Sequence, residues 1–276
     1  MTASPPSSPP TRAQIGVIGG SGFYAFLDDT TEVAVTTPYG EPSDPLVVGT
    51  VGGRAVAFLP RHGRDHRHPP HRINYRANLW ALRSVGVRQV LGPCAVGSLR
   101  ADLGPGSVVV PDQLVDRTSG RIQTYYDTGA VHVSFADPYC PDGRRVVLDV
   151  LDRTGWRATG GGTMVVIEGP RFSTRAESRS YAAEGWSLVN MTGHPEAVLA
   201  RELGLCYTAI ALVTDLDAGV TEGEGVSQAE VFALFATHLD RLRKVLYSVI
   251  PDLPSVRACP CATALDGLPI PLTLPE

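Results

Sequence analysis

Short apolar runs alternate with polar, glycine-rich segments along this chain. The runs Ile15–Ile18, Met164–Ile167 and Tyr207–Val213 have the length of buried β-strands, and the last two are rich in β-branched residues. Asn74–Val85 and Val226–Ile250 instead carry apolar residues at helical spacing, most of which are expected in the core. This alternation of strands and helices predicts an α/β protein, and 276 residues suit one large domain.

A pair of glycines separates two further apolar runs. Leu46–Thr50 and Arg54–Leu59 flank Gly52 and Gly53, which is the pattern of a β-hairpin. The other predicted elements are the strands Gln89–Leu91 and Ser107–Val110, the helix Arg144–Thr154, and the polar or small-residue loops Gly92–Ser98 and Asp112–Tyr126.

Three polar clusters adjoin the predicted strands. They span Glu168–Glu177, Asn190–Glu196 and Thr214–Gly219. Thr174 and Glu177 have the spacing of a helix-capping box, and Pro195 suits a first helical turn. Because strand-to-helix junctions of α/β sheets converge on clefts, the three clusters together indicate an active site.

Composition narrows the classes of partner. Charged residues make up 19% of the chain and the net charge is -4, so neither nucleic acid nor an anionic membrane is generally attracted. Any phosphate that the protein binds must therefore meet a local basic site.

Such a basic site is offered by the segment that follows the hairpin. Residues 60–71 contain four histidines and three arginines. A metal site is one interpretation, but no cysteine or glutamate cluster accompanies these histidines. An anion site is favoured, because arginine presents a planar fork of donors that suits phosphate. The loop Gly19–Gly22 is either a tight turn or a second anion cradle of backbone N–H groups.

The five cysteines are predicted to be free thiols. They are few and scattered, and they lack the four-ligand spacing of a structural zinc site. The sequence predicts a disordered Pro/Ser-rich tail at residues 1–13 and a catalytic domain at 14–250. Residues 251–276 are predicted to be a Pro-rich tail that packs on the same or a neighbouring subunit. With no signal-peptide pattern and no long apolar run, the expected location is the cytoplasm.

Several motifs, taken in order, resemble those of the trimeric purine nucleoside phosphorylase and 5'-methylthioadenosine phosphorylase family. They are Ile18-Gly-Gly-Ser-Gly, Pro60-Arg-His-Gly, Asn74-Tyr-Arg-Ala-Asn78, Ala95-Val-Gly-Ser98, Glu168-Gly-Pro-Arg-Phe-Ser-Thr-Arg-Ala-Glu-Ser178, Asn190-Met-Thr192 and Thr214-Asp-Leu-Asp217. The resemblance implies a single α/β domain with a twisted mixed sheet flanked by helices. It also implies a homotrimer with active sites near the subunit interfaces.

The resemblance also implies roles for matching positions. Phosphate would be held by Ser21, Arg61, His62, Ala95 and Thr192. The nucleoside would be contacted by Phe172, Asn190, Met191, Thr214, Asp215, Asp217, Val231 and Phe232, and by His132 reaching into a neighbouring subunit. Two positions depart from the family pattern: Cys94 replaces a threonine that often contacts phosphate, and Gln228 replaces a small apolar residue near the 5' substituent.

Phosphorolysis of a nucleoside needs a positioned oxyanion and a better leaving group. Asp215 or Asp217 could protonate the purine at N7 if burial raises its pKa. A carboxyl also accepts from a 6-amino group, whereas 6-oxopurine enzymes of the family typically place asparagine there. The expected reaction is phosphorolysis of 5'-methylthioadenosine, or of a related 5'-deoxy-5'-substituted adenosine, to adenine and, for methylthioadenosine, 5-methylthioribose 1-phosphate. It would serve purine and methionine salvage, with catalytic Asp215 and Asp217, phosphate as co-substrate and no cofactor or metal.

Three alternatives remain open from the residues. The nearest is a purine nucleoside phosphorylase that acts on methylthioinosine, inosine or guanosine. A nucleoside hydrolase would need a water-activating base or a metal, and would need no anion loops. A nucleoside-binding or regulatory protein without turnover would keep the base pocket but could lose the acid.

Overall fold

The computed structural model describes residues 11–20, 27–221 and 225–276, and the eleven strands in those ranges join one mixed sheet. The strands are β1 Ile15–Gly19, β2 Asp28–Val33, β3 Leu46–Val51, β4 Arg54–Pro60, β5 Gln89–Ser98, β6 Val108–Val110, β7 Gln113–Arg117, β8 Ala158–Gly160, β9 Thr163–Ile167, β10 Leu188–Asn190 and β11 Cys206–Leu216. The helices are α1 Tyr75–Ser84, α2 Pro141–Arg153, α3 Arg175–Ala183, α4 Gly193–Glu202 and α5 Gln228–Asp252.

Strand β5 is the centre of the sheet. Its first residues pair in parallel with β1, and its last two pair antiparallel with β10 along the same edge. Along its other edge it pairs in parallel with β11 over its whole length. The second half of β5 therefore lies between β10, whose last residue Asn190 begins the second polar cluster, and the end of β11, where the third cluster begins.

Helices cover both faces of this sheet. Helices α1 and α4 pack on one face and α2 and α5 on the other. Strand β1 illustrates why, because Ile15 and Val17 point into the α2–α5 layer whereas Ile18 points into the α1–α4 layer. Its residues are buried from both sides, as the predicted apolar run requires. The single α/β domain with a mixed, flanked sheet is confirmed.

Local signals in the sequence correspond to the observed turns and caps. Gly52 and Gly53 have φ of 55° and 78° and join β3 to β4, whose residues Val51 and Arg54 pair. The capping box of Thr174 and Glu177 starts α3, and Asn74 caps α1 by accepting from the Ala77 amide. The predicted hairpin and capping box are therefore confirmed.

Three predicted boundaries are wrong. The segment Gly92–Ser98, predicted as a loop, is the second half of β5, because it pairs with β11 along its length. Its glycines Gly92 and Gly97 lie where side chains of β11 and of Asp217 approach the strand. The polar segment Asp112–Tyr126 contains β7. The first turns of α5 are less buried than predicted: Phe232 is 50% exposed, Phe235 and Leu239 are partly buried against the core, and full burial begins at Leu242.

The C-terminal segment packs against its own chain. Leu272 and Leu274 contact the core on the α1 side of the sheet, and Arg83 donates to the Pro275 carbonyl at 3.1 Å. In the described part of the chain, no helix combines the length and apolar character needed to cross a membrane.

Candidate active site

The backbone carbonyls in the second half of β5 accept hydrogen bonds from the polar segments that the sequence predicts to form the site. The carbonyl of Pro93 accepts from Arg61 at 3.2 Å, and that of Ala95 accepts from the Asn190 side chain at 3.1 Å. Further along, the Ser98 carbonyl accepts from the Asp217 amide at 2.9 Å. One strand thus gathers residues that are widely separated in sequence.

Arg61 follows β4 and is buried against Glu196 of α4. Its Nε and Nη2 donate to the two carboxylate oxygens at 2.8 Å each, and Nη2 also donates to the Ile18 carbonyl. The Glu196 carboxylate accepts a third hydrogen bond, from the Tyr207 hydroxyl. Burial lowers the pKa of Arg61, but the Glu196 carboxylate outweighs it and the net pKa lies above the ordinary value. Arg61 is therefore a fixed positive charge.

Asn190 shapes the start of α4. Its Oδ1 accepts from the backbone amides of Thr192 and Gly193, at 2.8 and 2.6 Å, while its Nδ2 donates to Ala95. The amide thereby couples the first residues of α4 to β5. The side chain of Thr192 is buried beside it, with its hydroxyl 3.4 Å from Asn190 Oδ1.

His62 is held in the neutral form. Its Nδ1 lies 2.8 Å from the His68 carbonyl, which can only accept, so Nδ1 carries the proton. Burial lowers the pKa of His62 to about 3. Its ring stacks on His66 at 4.4 Å, and His66 meets the edge of Phe232 at 5.7 Å. This stack brings the exposed start of α5 to the Arg-His segment.

Asp215 is a carboxyl group whose pKa is raised in the folded protein. Burial raises its pKa to about 6, a hydrogen bond from Thr214 opposes the shift, and the charge of Asp217 adds to it. The Thr214 hydroxyl lies 2.8 Å from Asp215 Oδ2 and 3.2 Å from the Val96 carbonyl oxygen. A pKa near neutrality suits a group that exchanges a proton with a substrate.

Asp217 is fixed beside Asp215 across a glycine. The Ser178 hydroxyl of α3 donates to Asp217 Oδ2, and both side chains are buried. A Cβ at Gly97 would lie 3.0 Å from Asp215 Oδ1 and 3.4 Å from Asp217 Oδ1. Only glycine leaves this space open, so the two carboxyl groups converge over one point of β5.

The structure places the remaining candidates on neighbouring segments. Ser21 lies outside the described residues. Met191 is half-buried, and its sulfur lies 2.6 Å from where a Cβ of Gly169 would stand. Phe172 lies before α3 and Val231 lies in the first turn of α5, and both are half-buried. His132, between β7 and α2, is exposed and makes none of the contacts described above.

Sequence reasoning missed the side chains that hold the candidates in place. Glu196 and Ser178 lie inside the polar clusters, but nothing in a linear pattern shows that one binds Arg61 and the other Asp217. Tyr207 was assigned only to a buried strand. The available signal was that Glu196 directly precedes the apolar residues 197–200, because a charge that is drawn into a core needs a partner.

The four cysteines Cys140, Cys206, Cys259 and Cys261 form a buried group away from this site, and their sulfur atoms all lie within 4.8 Å of one another. Sequence spacing failed to indicate this group, because its members come from three distant segments. Cys94, on β5, is separate from it and also buried, which raises the pKa of its thiol to about 12.

Comparison with known proteins relates the whole described fold to one group of enzymes. The family model described as the phosphorylase superfamily matches residues 14–250. A purine nucleoside phosphorylase of Streptomyces coelicolor is 62% identical, over 96% of this chain and 98% of its own length. An S-methyl-5'-thioadenosine phosphorylase of Mycolicibacterium smegmatis is 58% identical, over 95% of this chain and 99% of its own.

A solved structure is similar over nearly the same extent. The crystal structure of a methylthioadenosine phosphorylase from an antarctic soil metagenomic library superimposes with a TM-score of 0.88 at 40% identity. The match covers 94% of this chain and 92% of that one. The similarity therefore extends to the strands and helices that carry the candidate site.

Proposed function

The chain belongs to the phosphorylase superfamily, and from that premise we propose that it cleaves the N-glycosidic bond of 5'-methylthioadenosine with inorganic phosphate, releasing adenine and 5-methylthioribose 1-phosphate. The observation that carries this proposal is the pair of carboxyl groups, Asp215 and Asp217, that converge over Gly97. Each step of the reaction has a candidate among the residues of this site.

Asp215 is proposed as the general acid that protonates the purine at N7. Its pKa of about 6 leaves an appreciable protonated fraction near neutral pH. The Thr214 hydroxyl donates to Asp215 Oδ2, which leaves Oδ1 to carry the proton that is transferred to N7. The proton can therefore leave without disrupting the surrounding hydrogen bonds.

Asp217 is proposed to accept a hydrogen bond from the 6-amino group of adenine. Ser178 occupies one of its oxygens and fixes the orientation of the carboxyl group. A 6-oxo group would present an acceptor to this carboxyl instead, and an unmatched buried polar pair costs about 1–3 kcal/mol. This pairing favours 6-aminopurines.

Arg61, His62 and Thr192 are proposed to hold phosphate, with Ala95 of β5 beside them and Ser21 as a further contact. Of the five N–H groups of a guanidinium, four of Arg61 donate to Glu196, Ile18 and Pro93. The fifth N–H group, on Nη1, has no acceptor among the described residues and could donate to phosphate. Because His62 carries its proton on Nδ1, its Nε2 would accept from a protonated phosphate oxygen.

The proposed nucleoside contacts are completed by residues around this centre. Phe172 and Met191 would lie against the purine and ribose, and Val231 and Phe232 against the 5' substituent. The contact of His66 with Phe232 supports a 5' pocket near the start of α5.

We further propose a cytoplasmic homotrimer that works in purine and methionine salvage with no cofactor in its active site. The exposed side chains of Phe232 and His132 are candidates for contact with a neighbouring subunit. Light scattering on the active protein tests this assembly: a fully active monomer at micromolar concentration contradicts it.

A second function is favoured by one relative. The Streptomyces coelicolor protein, at 62% identity, is named a purine nucleoside phosphorylase. Under that alternative the chain would act on methylthioinosine, inosine or guanosine, and the carboxyl pair would not select a 6-amino group.

Release of free base from a panel of nucleosides separates these possibilities. 5'-Methylthioadenosine, adenosine, methylthioinosine and inosine are each incubated with and without phosphate, and both products are quantified. The proposal expects phosphate-dependent release that is fastest for 5'-methylthioadenosine. Release that is unchanged without phosphate contradicts phosphorolysis, and faster release from methylthioinosine supports the alternative.

A further inference from the structure

Four buried cysteines meet where the segment beyond α5 packs against the starts of α2 and β11. Their sulfur atoms lie within 4.8 Å of one another, with Cys206 Sγ 3.3 Å from Cys259 Sγ. They form a cluster of their own, apart from the three apolar cores of the described residues. From this arrangement we infer that Cys140, Cys206, Cys259 and Cys261 bind one structural zinc ion as four thiolate ligands.

Each ligand is delivered by a rigid part of the fold. Cys140 caps the first turn of α2, and its amide donates to the Tyr207 carbonyl at 2.8 Å. Cys206 opens β11, where its amide donates to Arg88. Cys259 and Cys261 flank Pro260, which starts a single 3-10 turn at Pro260–Ala262. The positions of these elements in the fold bring the four sulfur atoms together.

The dimensions fit a tetrahedral site better than two disulfides. With Zn–S bonds of about 2.3 Å, the ligand sulfurs of a tetrahedral site lie roughly 3.8 Å apart. The observed separations of 3.3 Å and up to 4.8 Å bracket that value. A disulfide would instead bring sulfurs to about 2.05 Å in pairs, whereas the described cysteines are all free thiols. Four soft thiolates select zinc over harder cations.

Nearby groups offset the negative charge of four thiolates. The Gly143 amide donates to Cys140 Sγ at 3.5 Å, at the N-terminus of the 13-residue helix α2. The positive charge of Arg201 also acts on the Cys261 sulfur. The Arg201 guanidinium is itself held by the Ser134 and Asp137 carbonyls.

The ion would fasten the C-terminal segment to the body of the domain. Cys140 and Cys206 belong to the sheet-and-helix body, whereas Cys259 and Cys261 lie beyond α5. Side-chain hydrogen bonds also hold this segment, among them Gln89 to Pro254 and Arg257 to Gly204. The metal would add a cross-link between this segment and the body of the domain to these contacts.

The first test is the metal content of full-length protein that is expressed with zinc in the medium and purified with a reductant and without chelators. Elemental analysis is expected to find about one zinc per chain. Chelation with a strong zinc ligand is expected to lower Tm and to speed proteolysis after α5. Cobalt substitution should produce the visible absorption of a tetrahedral thiolate complex.

Matched variants assign the ion to these residues. Cys261→Ser, in the segment beyond α5, is expected to lose the zinc, whereas Cys94→Ser, which removes a buried cysteine outside the cluster, is expected to retain it. If Cys261→Ser does not fold, stoichiometric zinc release on titrating the wild-type thiols with a mercurial reagent supports the same assignment. Metal-free wild-type protein, an intact mass lowered by disulfide formation, or iron in place of zinc would each overturn it.

Discussion

The guanidinium of Arg61 and the carboxylate of Glu196 meet in a buried two-point ion pair, 135 positions apart in sequence. Their side chains are 3% and 0% exposed. Because Arg61 is the fixed charge of the proposed phosphate site, the geometry of that site depends on a residue of α4 that itself faces away from solvent.

Glu196→Gln should reduce both stability and phosphate binding. The amide keeps the shape of the side chain but leaves the buried charge of Arg61 uncompensated, which costs about 3–5 kcal/mol of unfolding free energy. Urea denaturation and the phosphate KM measure the two effects, and KM is expected to rise. The control is Asp149→Asn, which breaks an exposed pair with Arg145 and should cost less than about 0.5 kcal/mol. Equal costs for the two variants would contradict the role of Glu196.

Asp215→Asn should remove a pH-dependent step. If Asp215 acts as the acid, kcat/KM of the wild type falls as pH rises through its pKa of about 6, because the protonated form disappears. The variant should be slower by about 10²–10⁴-fold and should lack that limb of the profile. An unaltered profile in Asp215→Asn would assign the acid to another group.

The same substitution should stabilise the protein at neutral pH. The folded pKa of Asp215 is raised from 3.8 to about 6, so the folded state binds its proton more tightly than the unfolded state. Stability is then lost as pH rises from about 4 to 6, by up to about 2–3 kcal/mol. An asparagine side chain at this position carries no charge to bury, so thermal unfolding of Asp215→Asn should show a higher Tm than wild type at pH 7.5 and little difference at pH 4.

Base preference should also depend on the carboxyl groups. Wild type is expected to favour 5'-methylthioadenosine over methylthioinosine by roughly five- to 150-fold in kcat/KM, the range that corresponds to 1–3 kcal/mol. Asp217→Asn should narrow this ratio, because Asp217 is the carboxyl group proposed to accept from the 6-amino group. Both nucleosides are assayed under saturating phosphate, and an unchanged ratio would mean that this carboxyl does not read the base.

Gly97→Ala should displace the carboxyl pair without unfolding the chain. The added Cβ would lie 3.0 Å from Asp215 Oδ1 and 3.3 Å from Asp217 Cβ. Misplacing reacting groups by a fraction of an ångström to 1 Å lowers kcat/KM by about 10- to 100-fold. Gly104→Ala is the control, since a Cβ there meets no atom of the described residues within 4 Å. Comparable activity of the two variants would show that Gly97 is not required for this spacing.

Local patterns in the sequence were sufficient for much of the fold. The hairpin depends on two adjacent glycines with positive φ, and the start of α3 on the reciprocal bonds of Thr174 and Glu177. Such features involve neighbours along the chain, so their physical causes are visible in a short window.

Other features depended on which side chains from distant parts of the chain pack against a segment. The sequence predicts a loop at Gly92–Ser98 because small residues are common in loops. In the structure Gly92 lies in a strand, and only glycine fits there because the Tyr207 hydroxyl lies 2.5 Å from where a Cβ would stand. The start of α5 read as core because its apolar spacing continues, but the described layers of this chain leave half of Phe232 exposed. Periodicity identifies an apolar face, and only packing decides whether that face is covered.

The sequence by itself determined which functional groups are present and which short elements carry them: a fixed cation near β4, a hydroxyl at the start of α4, and two carboxyl groups at the end of β11. The tertiary structure decided how those groups behave. Burial and a neighbouring carboxyl raise the pKa of Asp215, a distant glutamate orients Arg61, and four cysteines from three segments meet at one point. Each of these effects falls off within a few ångströms, so each depends on distances in space that sequence separation does not specify.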